Sequence, residues 1–167
     1  MAAHQILSKE IALRKLQRMA YEIAERNIDE GQIILAGIKE NGNIIAQILY
    51  SFLKEIFKGE VMILQITLDK RNPKIISVSE KINFDDKVII VTDDVANSGK
   101  TLLYALKPFL EFYPKKIQTL VLVERSYKEF PVATNYVGLS VSTAFTERIV
   151  VETSNNEIVG ASLITSG

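Results

Sequence analysis

Residues 89–101 read IIVTDDVANSGKT, an apolar run that delivers two adjacent acids and then a turn of small residues opening onto a helix. Ile89, Ile90 and Val91 are β-branched residues in the pattern of a buried strand, and Asp93 and Asp94 fall where such a strand would end and a cleft begin. Carboxylates at that point accept hydrogen bonds from the paired 2′ and 3′ hydroxyls of a ribose. Ala96, Asn97, Ser98, Gly99, Lys100 and Thr101 follow with backbone N–H groups, hydroxyls and a helix N-terminus, the donors that a phosphate requires. One short segment thus answers both halves of a sugar phosphate. The bland alternative is a strand that leaves through an acidic turn, with Ser98 and Gly99 serving only as helix caps. A nucleotide-triphosphate loop fails on spacing. Such a loop needs a glycine five positions before the Gly-Lys pair, and that position is Asp94, whose charge repels phosphate.

These residues need a scaffold, and the hydrophobic pattern supplies one. Residues 8–27 place Ala12, Leu16, Met19, Ala20 and Ile23 on one stripe of an amphipathic helix. Residues 32–36 form a short apolar strand, followed by the loop 37–42 and a second helix through Ile44, Ile45, Ile48, Leu49, Phe52, Leu53 and Ile56. Further strands are expected at 61–68, 87–92 and 117–124. The alternation of strand and helix predicts an α/β fold with a mostly parallel sheet covered by helices. Residues 69–86 are irregular and contain Pro73, which fits a mobile loop or a hairpin through 75–78. Pro108 should kink or end the helix that follows Gly99. Short strands are expected at 135–138, 148–152 and 157–164, with Asn155-Asn156 as a turn. In open parallel sheets ligands sit beyond the carboxyl ends of the strands, which gathers the loops at Gly37, Asp69, Asp93 and Arg125 at one edge. The turn 37–42, taken alone, is an ordinary glycine-bounded strand-to-helix connection.

Composition narrows the chemistry. The 167 residues fit one domain, with no linker or repeat. Lys plus Arg and Asp plus Glu both number 20, so zero net charge gives no bulk attraction to nucleic acid or an anionic membrane. The chain has no cysteine, which removes disulfides, thiolate metal sites and thiol nucleophiles. Its single histidine, His4, is expected to be a solvated residue of a frayed N-terminus. No segment has the length of apolar residues that a signal peptide or membrane helix needs, so a cytoplasmic protein is expected.

The segment 89–101 resembles the phosphoribosyl pyrophosphate (PRPP) motif of type I phosphoribosyltransferases: an apolar strand, two acids, two variable residues and a Thr/Ser-Gly-Lys/Arg-Thr turn. The resemblance narrows to the pyrimidine operon attenuator and uracil phosphoribosyltransferase branch over residues 11–152. It is carried by ALRKLQRMAYEIAERN, AGIKENG, LQITL, the PRPP-like motif, LVERSYKEFPVATNYVG and ERIVVE, in that order. It implies a Rossmann-like type I fold with a small hood and a mobile loop. It also implies transfer of ribose 5-phosphate from PRPP to a nucleobase, uracil first, with release of pyrophosphate.

The resemblance assigns roles to particular residues. Asp93 and Asp94 hold the ribose, and residues 96–101 hold the 5′-phosphate. Lys39, Glu40, Asn41 and Gly42 face the pyrophosphate, Lys70 and Arg71 sit on the mobile loop, and Arg125, Tyr136 and Val137 form the base site. Magnesium is implied near Asp93 and Asp94, bound through PRPP oxygens. Departures accompany the match. The pyrophosphate loop of that branch usually reads GIKTRG, so Asn41 stands where an arginine is usual. The mobile-loop run is Asp69-Lys70-Arg71-Asn72, and Ser142 and Phe145 replace a proline and an arginine. Asn97 occupies the position of a proton-accepting aspartate in the 6-oxopurine branch, which makes hypoxanthine and guanine unfavourable acceptors. Relatives imply a homodimer. A second function is a PRPP- or nucleotide-sensing regulator that binds pyrimidine leader RNA with weak or no turnover, although zero net charge disfavours RNA.

Overall fold

The computed structural model describes residues 2–165. Nine strands and three α-helices run in the order β1 (Ala2–Ser8), α1 (Lys9–Arg26), β2 (Gln32–Ile38), α2 (Asn41–Ile56), β3 (Glu60–Leu68), β4 (Ile76–Val78), β5 (Val88–Ala96), α3 (Lys100–Ala105), β6 (Lys116–Arg125), β7 (Tyr136–Val141), β8 (Glu147–Ser154) and β9 (Glu157–Thr165). The main sheet has the order β4-β3-β2-β5-β6-β7, parallel except for the antiparallel edge pair β3 and β4. A separate antiparallel sheet, β1-β9-β8, forms a hood. The α/β architecture expected from the sequence is the one found.

β2 and β5 are apolar almost throughout because helices cover both faces of the sheet. Ile33 and Leu35 point into a core shared with α1, α2 and the hood residues Ile149, Val151 and Ile158. Ile34, Ala36 and Ile38 point the other way, toward Leu102, Ala105, Phe109 and Phe84. On that side the Phe84 ring meets Phe109 edge-on at 4.9 Å between centroids, a favoured arrangement for aromatic pairs. α1 starts where Ser8 Oγ accepts from the Ile11 N–H at 3.3 Å. It ends at Asn27, whose Nδ2 donates to the Ile23 carbonyl at 2.8 Å.

Four expectations are corrected or sharpened. Residues 2–8 are no frayed tail: β1 pairs with β9, and His4 is exposed on that strand opposite Leu163. Residues 69–86 contain the hairpin partner β4, with Val78 opposite Ile66. Pro108 coincides with an early stop, since α3 ends at Ala105 and a 3-10 turn over Lys107–Phe109 follows. Asn155 and Asn156 turn the β8–β9 hairpin with φ of 52° and 60°, the left-handed pair that a two-residue hairpin loop needs. No helix among the described residues is long and apolar enough to cross a membrane.

Candidate active site at the carboxyl edge of the sheet

β5 runs past the two acids to Ala96, so Asp93 and Asp94 lie inside the strand and are nearly sealed, at 1% and 4% exposure. Asp93 Oδ1 accepts from the Asp94 N–H at 2.9 Å, and Asp94 Oδ1 accepts from the Val95 N–H at 2.8 Å. Asp94 Oδ2 accepts from Asn41 Nδ2 at 2.7 Å, which ties the pyrophosphate-side loop to the acid pair. Lys70 Nζ stands 3.7 Å from Asp93 Oδ1 and brings the long loop over the same point. Burial, and after it the charge of Asp94, push the Asp93 carboxyl well above its ordinary range; Lys70 opposes this only in part. A buried acid held in this state stores a demand for a cation or for hydroxyl donors.

Close backbone approach makes this arrangement possible. A Cβ on Gly42 would lie 2.4 Å from the Thr92 carbonyl oxygen and 3.1 Å from Asp93 Cα, so only glycine lets the start of α2 rest on β5 beside the acids. Thr92 Oγ1 donates to the Gly42 carbonyl at 2.8 Å and fixes that approach.

Beyond the acids the chain turns through Gly99, at φ +84°, into α3. The turn is braced from behind by residues 126–135: the Ser98 carbonyl accepts from the N–H groups of Glu129 and Phe130 at 3.1 and 3.0 Å. Lys128 binds Glu124 at 2.8 Å, and Thr134 donates to the same carboxylate. Burial alone would raise the Glu124 pKa, but these hydrogen bonds and the Lys128 charge overcome it and hold the acid below its ordinary value. Lys70, Asp93 and residues 95–102 enclose a cavity of about 140 Å³. Ala96 is buried and offers only backbone there, while Ser98, Lys100 and Thr101 are half-buried. The six-residue α3 is short, so the N–H groups of the turn, rather than a long helix dipole, are the anion donors.

The loop 39–42 lies across the acids from this cavity. Lys39 and Glu40 are exposed and joined by a cis peptide, and Asn41 is half-buried. With Asn43, Ile44 and hood residues Thr153, Ser154, Asn155 and Asn156 they border a wider cavity of about 360 Å³. Thr153 Oγ1 lies 3.4 Å from Asn41 Oδ1. Lys70 reaches the site, whereas Arg71 is exposed on the same loop.

The residues expected at the base site lie apart. Tyr136 is fully buried, donates to Gln118 Oε1 at 2.7 Å and lies under the Arg26 guanidinium, 4.6 Å from its ring centroid. It is a core residue on the α1 side. Arg18 Nη2 donates to the Val137 carbonyl at 3.0 Å, so α1 takes that acceptor. Register explains the miss: Tyr136 pairs with Leu120 in mid-strand, and the residue beside Arg125 is Val141. Arg125 itself stays at the edge, where Nη2 donates to the Ala144 carbonyl at 3.3 Å. Residues 139–141, rather than 136–137, lie beside the carboxyl end of β6. A parallel strand pair carries no local mark of its offset, and the sequence offered none. The sequence reading also missed what Asn97 does. Its Nδ2 donates to the Ile149 carbonyl and its Oδ1 accepts from the Ile149 N–H, both at 3.2 Å.

Comparison with known proteins agrees with this geometry. Residues 2–156 match the phosphoribosyl transferase domain family. The chain is 35% identical over 163 residues to the bifunctional protein PyrR of Enterococcus faecalis, with 92% of each chain covered. It is 36% identical over 161 residues to that of Ligilactobacillus salivarius, covering 89% of this chain and 90% of the relative. Among solved structures, the hypoxanthine-guanine phosphoribosyltransferase of Bacillus anthracis has a TM-score of 0.74 at 21% identity, over 98% of this chain and 100% of that one. The hypoxanthine phosphoribosyltransferase of Trypanosoma cruzi has a TM-score of 0.77 at 15% identity, over 93% and 94%. These structures share the fold, and the closer sequence relatives narrow the group. The chain belongs to the phosphoribosyl transferase domain family, as a PyrR-like type I phosphoribosyltransferase.

Proposed function

We propose that the protein transfers ribose 5-phosphate from PRPP to a pyrimidine base, uracil first, and releases pyrophosphate. The observation that carries this reading is a pair of adjacent buried acids leading straight into a braced small-residue turn, with Asp93 lining the cavity of that turn. In the reaction the C1′–oxygen bond to pyrophosphate breaks, a C1′–nitrogen bond to the base forms and the base loses its proton. No side-chain nucleophile is needed. Asp93 and Asp94 take the ribose hydroxyls, the N–H groups and hydroxyls of residues 96–101 take the 5′-phosphate, and Lys39, Asn41 and Gly42 face the departing pyrophosphate. The Asn97 side chain is engaged with Ile149, so its backbone serves the phosphate. Catalysis of this kind rests on positioning and fixed dipoles aimed at developing charge. Lys70 and the loop behind it exclude water, which competes with the base.

A divalent cation fits this donor set. The described residues contain no group of three or more acidic, histidine or cysteine ligands, so Asp93 and Asp94 would hold magnesium only together with oxygens of the donor. The raised pKa of Asp93 is consistent with a carboxylate whose counter-ion arrives with the ligand. Such a cation would neutralise charge on the leaving pyrophosphate. A cytoplasmic homodimer completes the reading.

The decisive experiment incubates the protein with PRPP, magnesium and a panel of bases and follows pyrophosphate release. Uracil-dependent release supports the transferase. Magnesium-dependent PRPP binding with a blank panel supports the second reading, a PRPP or nucleotide sensor acting on RNA. That reading is favoured by one observation: Asn41, where the family usually has arginine, spends its amide on Asp94 and Thr153. Salt-sensitive retention of a pyrimidine leader RNA would extend it. Absence of any PRPP binding refutes both.

A further inference from the structure

β8 is the outer strand of the hood, paired with β9 on one side only, so alternate backbone groups along its other side have no strand partner. Unpaired edge groups normally face water. At Ile149 they do not, because the residue is 1% exposed and its N–H and C=O both meet the side chain of Asn97 at 3.2 Å. A primary amide has one acceptor and two donors on a planar fork, and here it replaces the missing strand. Farther along β8, Thr153 Oγ1 meets Asn41 Oδ1 at 3.4 Å, a longer contact at the opposite wall of the site. Asn97 follows the acids on the donor turn and Asn41 precedes them on the pyrophosphate-side loop. The two contacts thus join one hood strand to both flanks of Asp93 and Asp94.

We infer that Asn97 is a positioning residue for the acceptor base. Its amide fixes β8 against the donor turn and so sets where the hood edge stands beside the acids, the side from which a base must approach C1′. The part concerning the base rests on the transferase reading above; the latch itself does not. An aspartate at this place would keep the bond from the Ile149 N–H but set a carboxylate against the Ile149 carbonyl, so it opens the same gap. An alanine loses both bonds.

The test has two independent readouts on Asn97→Ala and Asn97→Asp. Amide hydrogen exchange at Ile149, measured by nuclear magnetic resonance without any ligand, rises roughly tenfold in Asn97→Ala, the scale of one lost net hydrogen bond. With PRPP and uracil, KM for the base rises about tenfold in both variants, a larger factor than the accompanying change in PRPP affinity. Asn97→Asp, which keeps the bond from the Ile149 N–H, gives an intermediate increase in exchange of about threefold and serves in place of Asn97→Ala should the latter not fold. Weaker PRPP binding with unchanged Ile149 exchange would overturn the inference and make the side chain a phosphate ligand. If the wild-type protein neither binds PRPP nor turns over any base, the transferase reading falls, and the Ile149 exchange rates still decide the latch.

Discussion

The two flanks of the acid pair are built on opposite plans. On the donor-turn side, Gly99 presses against Val132 and Lys128, the Ser98 carbonyl is held by two N–H groups, and the cavity is small at about 140 Å³. On the other side, exposed Lys39 and Glu40 border a cavity of about 360 Å³ shared with the hood turn, and Asn41 is the main tie to the acids. A group that stays bound through the reaction suits the tight wall, where donors are fixed beforehand. A group that must depart suits the loose one. Preorganisation is therefore concentrated where the ligand does not change.

The sharpest way to break this contrast is at its hinge. Asp94→Asn removes a buried carboxyl that, under the proposed function, serves the ribose hydroxyls and a cation, and it should weaken PRPP binding by roughly 100-fold, since hydrogen bonds to charged groups carry about 1.5–3 kcal/mol. Isothermal calorimetry reads this directly, with Asn41→Ala as the comparison at less than about tenfold. Equal losses in the two variants would abolish the distinction between the flanks.

Gly99→Ala probes the tight wall. The residue sits at φ +84°, and its Cβ would come within 2.9 Å of Val132 Cγ1. The left-handed backbone costs a non-glycine residue about 1–2 kcal/mol, so urea denaturation should show that loss, with donor affinity about tenfold lower if the strain moves the turn. An equal loss from a comparable change at exposed Glu40 would show that the two walls are equally rigid.

Proton linkage comes next. Asp93 is raised in the free protein, by burial first and by Asp94 second, and under the proposed function its ionised form is the one that holds the donor. PRPP affinity should therefore rise as pH climbs from the ordinary carboxylate range through the raised pKa, and binding in that window should release a proton. Calorimetry in buffers of different ionisation heat measures the release. The same group contributes to folding stability with the reverse sense: its contribution is complete below the unfolded carboxylate pKa and is lost as pH rises through the folded one.

A smaller effect is expected from Asn41→Arg, which places a cation at the loose wall while removing the amide tie. Pyrophosphate affinity in product inhibition should improve by no more than about fivefold, the range of an exposed ion pair. The smallest effect on activity belongs to Tyr136→Phe. It forfeits the hydrogen bond to Gln118, about 1 kcal/mol of stability, and leaves KM for the base unchanged. A raised KM would return Tyr136 to the base site.

Much of this architecture was legible in the chain because it follows from short-range pattern. β2 and β5 are unbroken apolar runs, α1 has a clean stripe beginning one turn after Ser8, and Asn155-Asn156 announces its own hairpin. The acid pair and the donor turn were legible for the same reason, being contiguous from Asp93 to Thr101. What escaped depends on partners far along the chain. β1 has no strict alternation and, apart from Ile6, no strong β-former, and it becomes a strand because β9 lies beside it. Tyr136 could have been core or pocket until the β6–β7 offset was known. Asn97 reads as a phosphate-loop residue from its neighbours, and only the hood reveals the Ile149 backbone opposite its amide.

The order of strands in the hood carries a consequence for biosynthesis. β9 lies between β1 and β8, so neither of those strands has a sheet partner before Glu157–Thr165 has been made. The doubly covered parallel sheet, with its nearer-neighbour pairings, can settle beforehand. On a ribosome the sheet that carries the acids could thus be complete while its hood is still missing, so the covering of that edge would come only after the floor beneath it has formed.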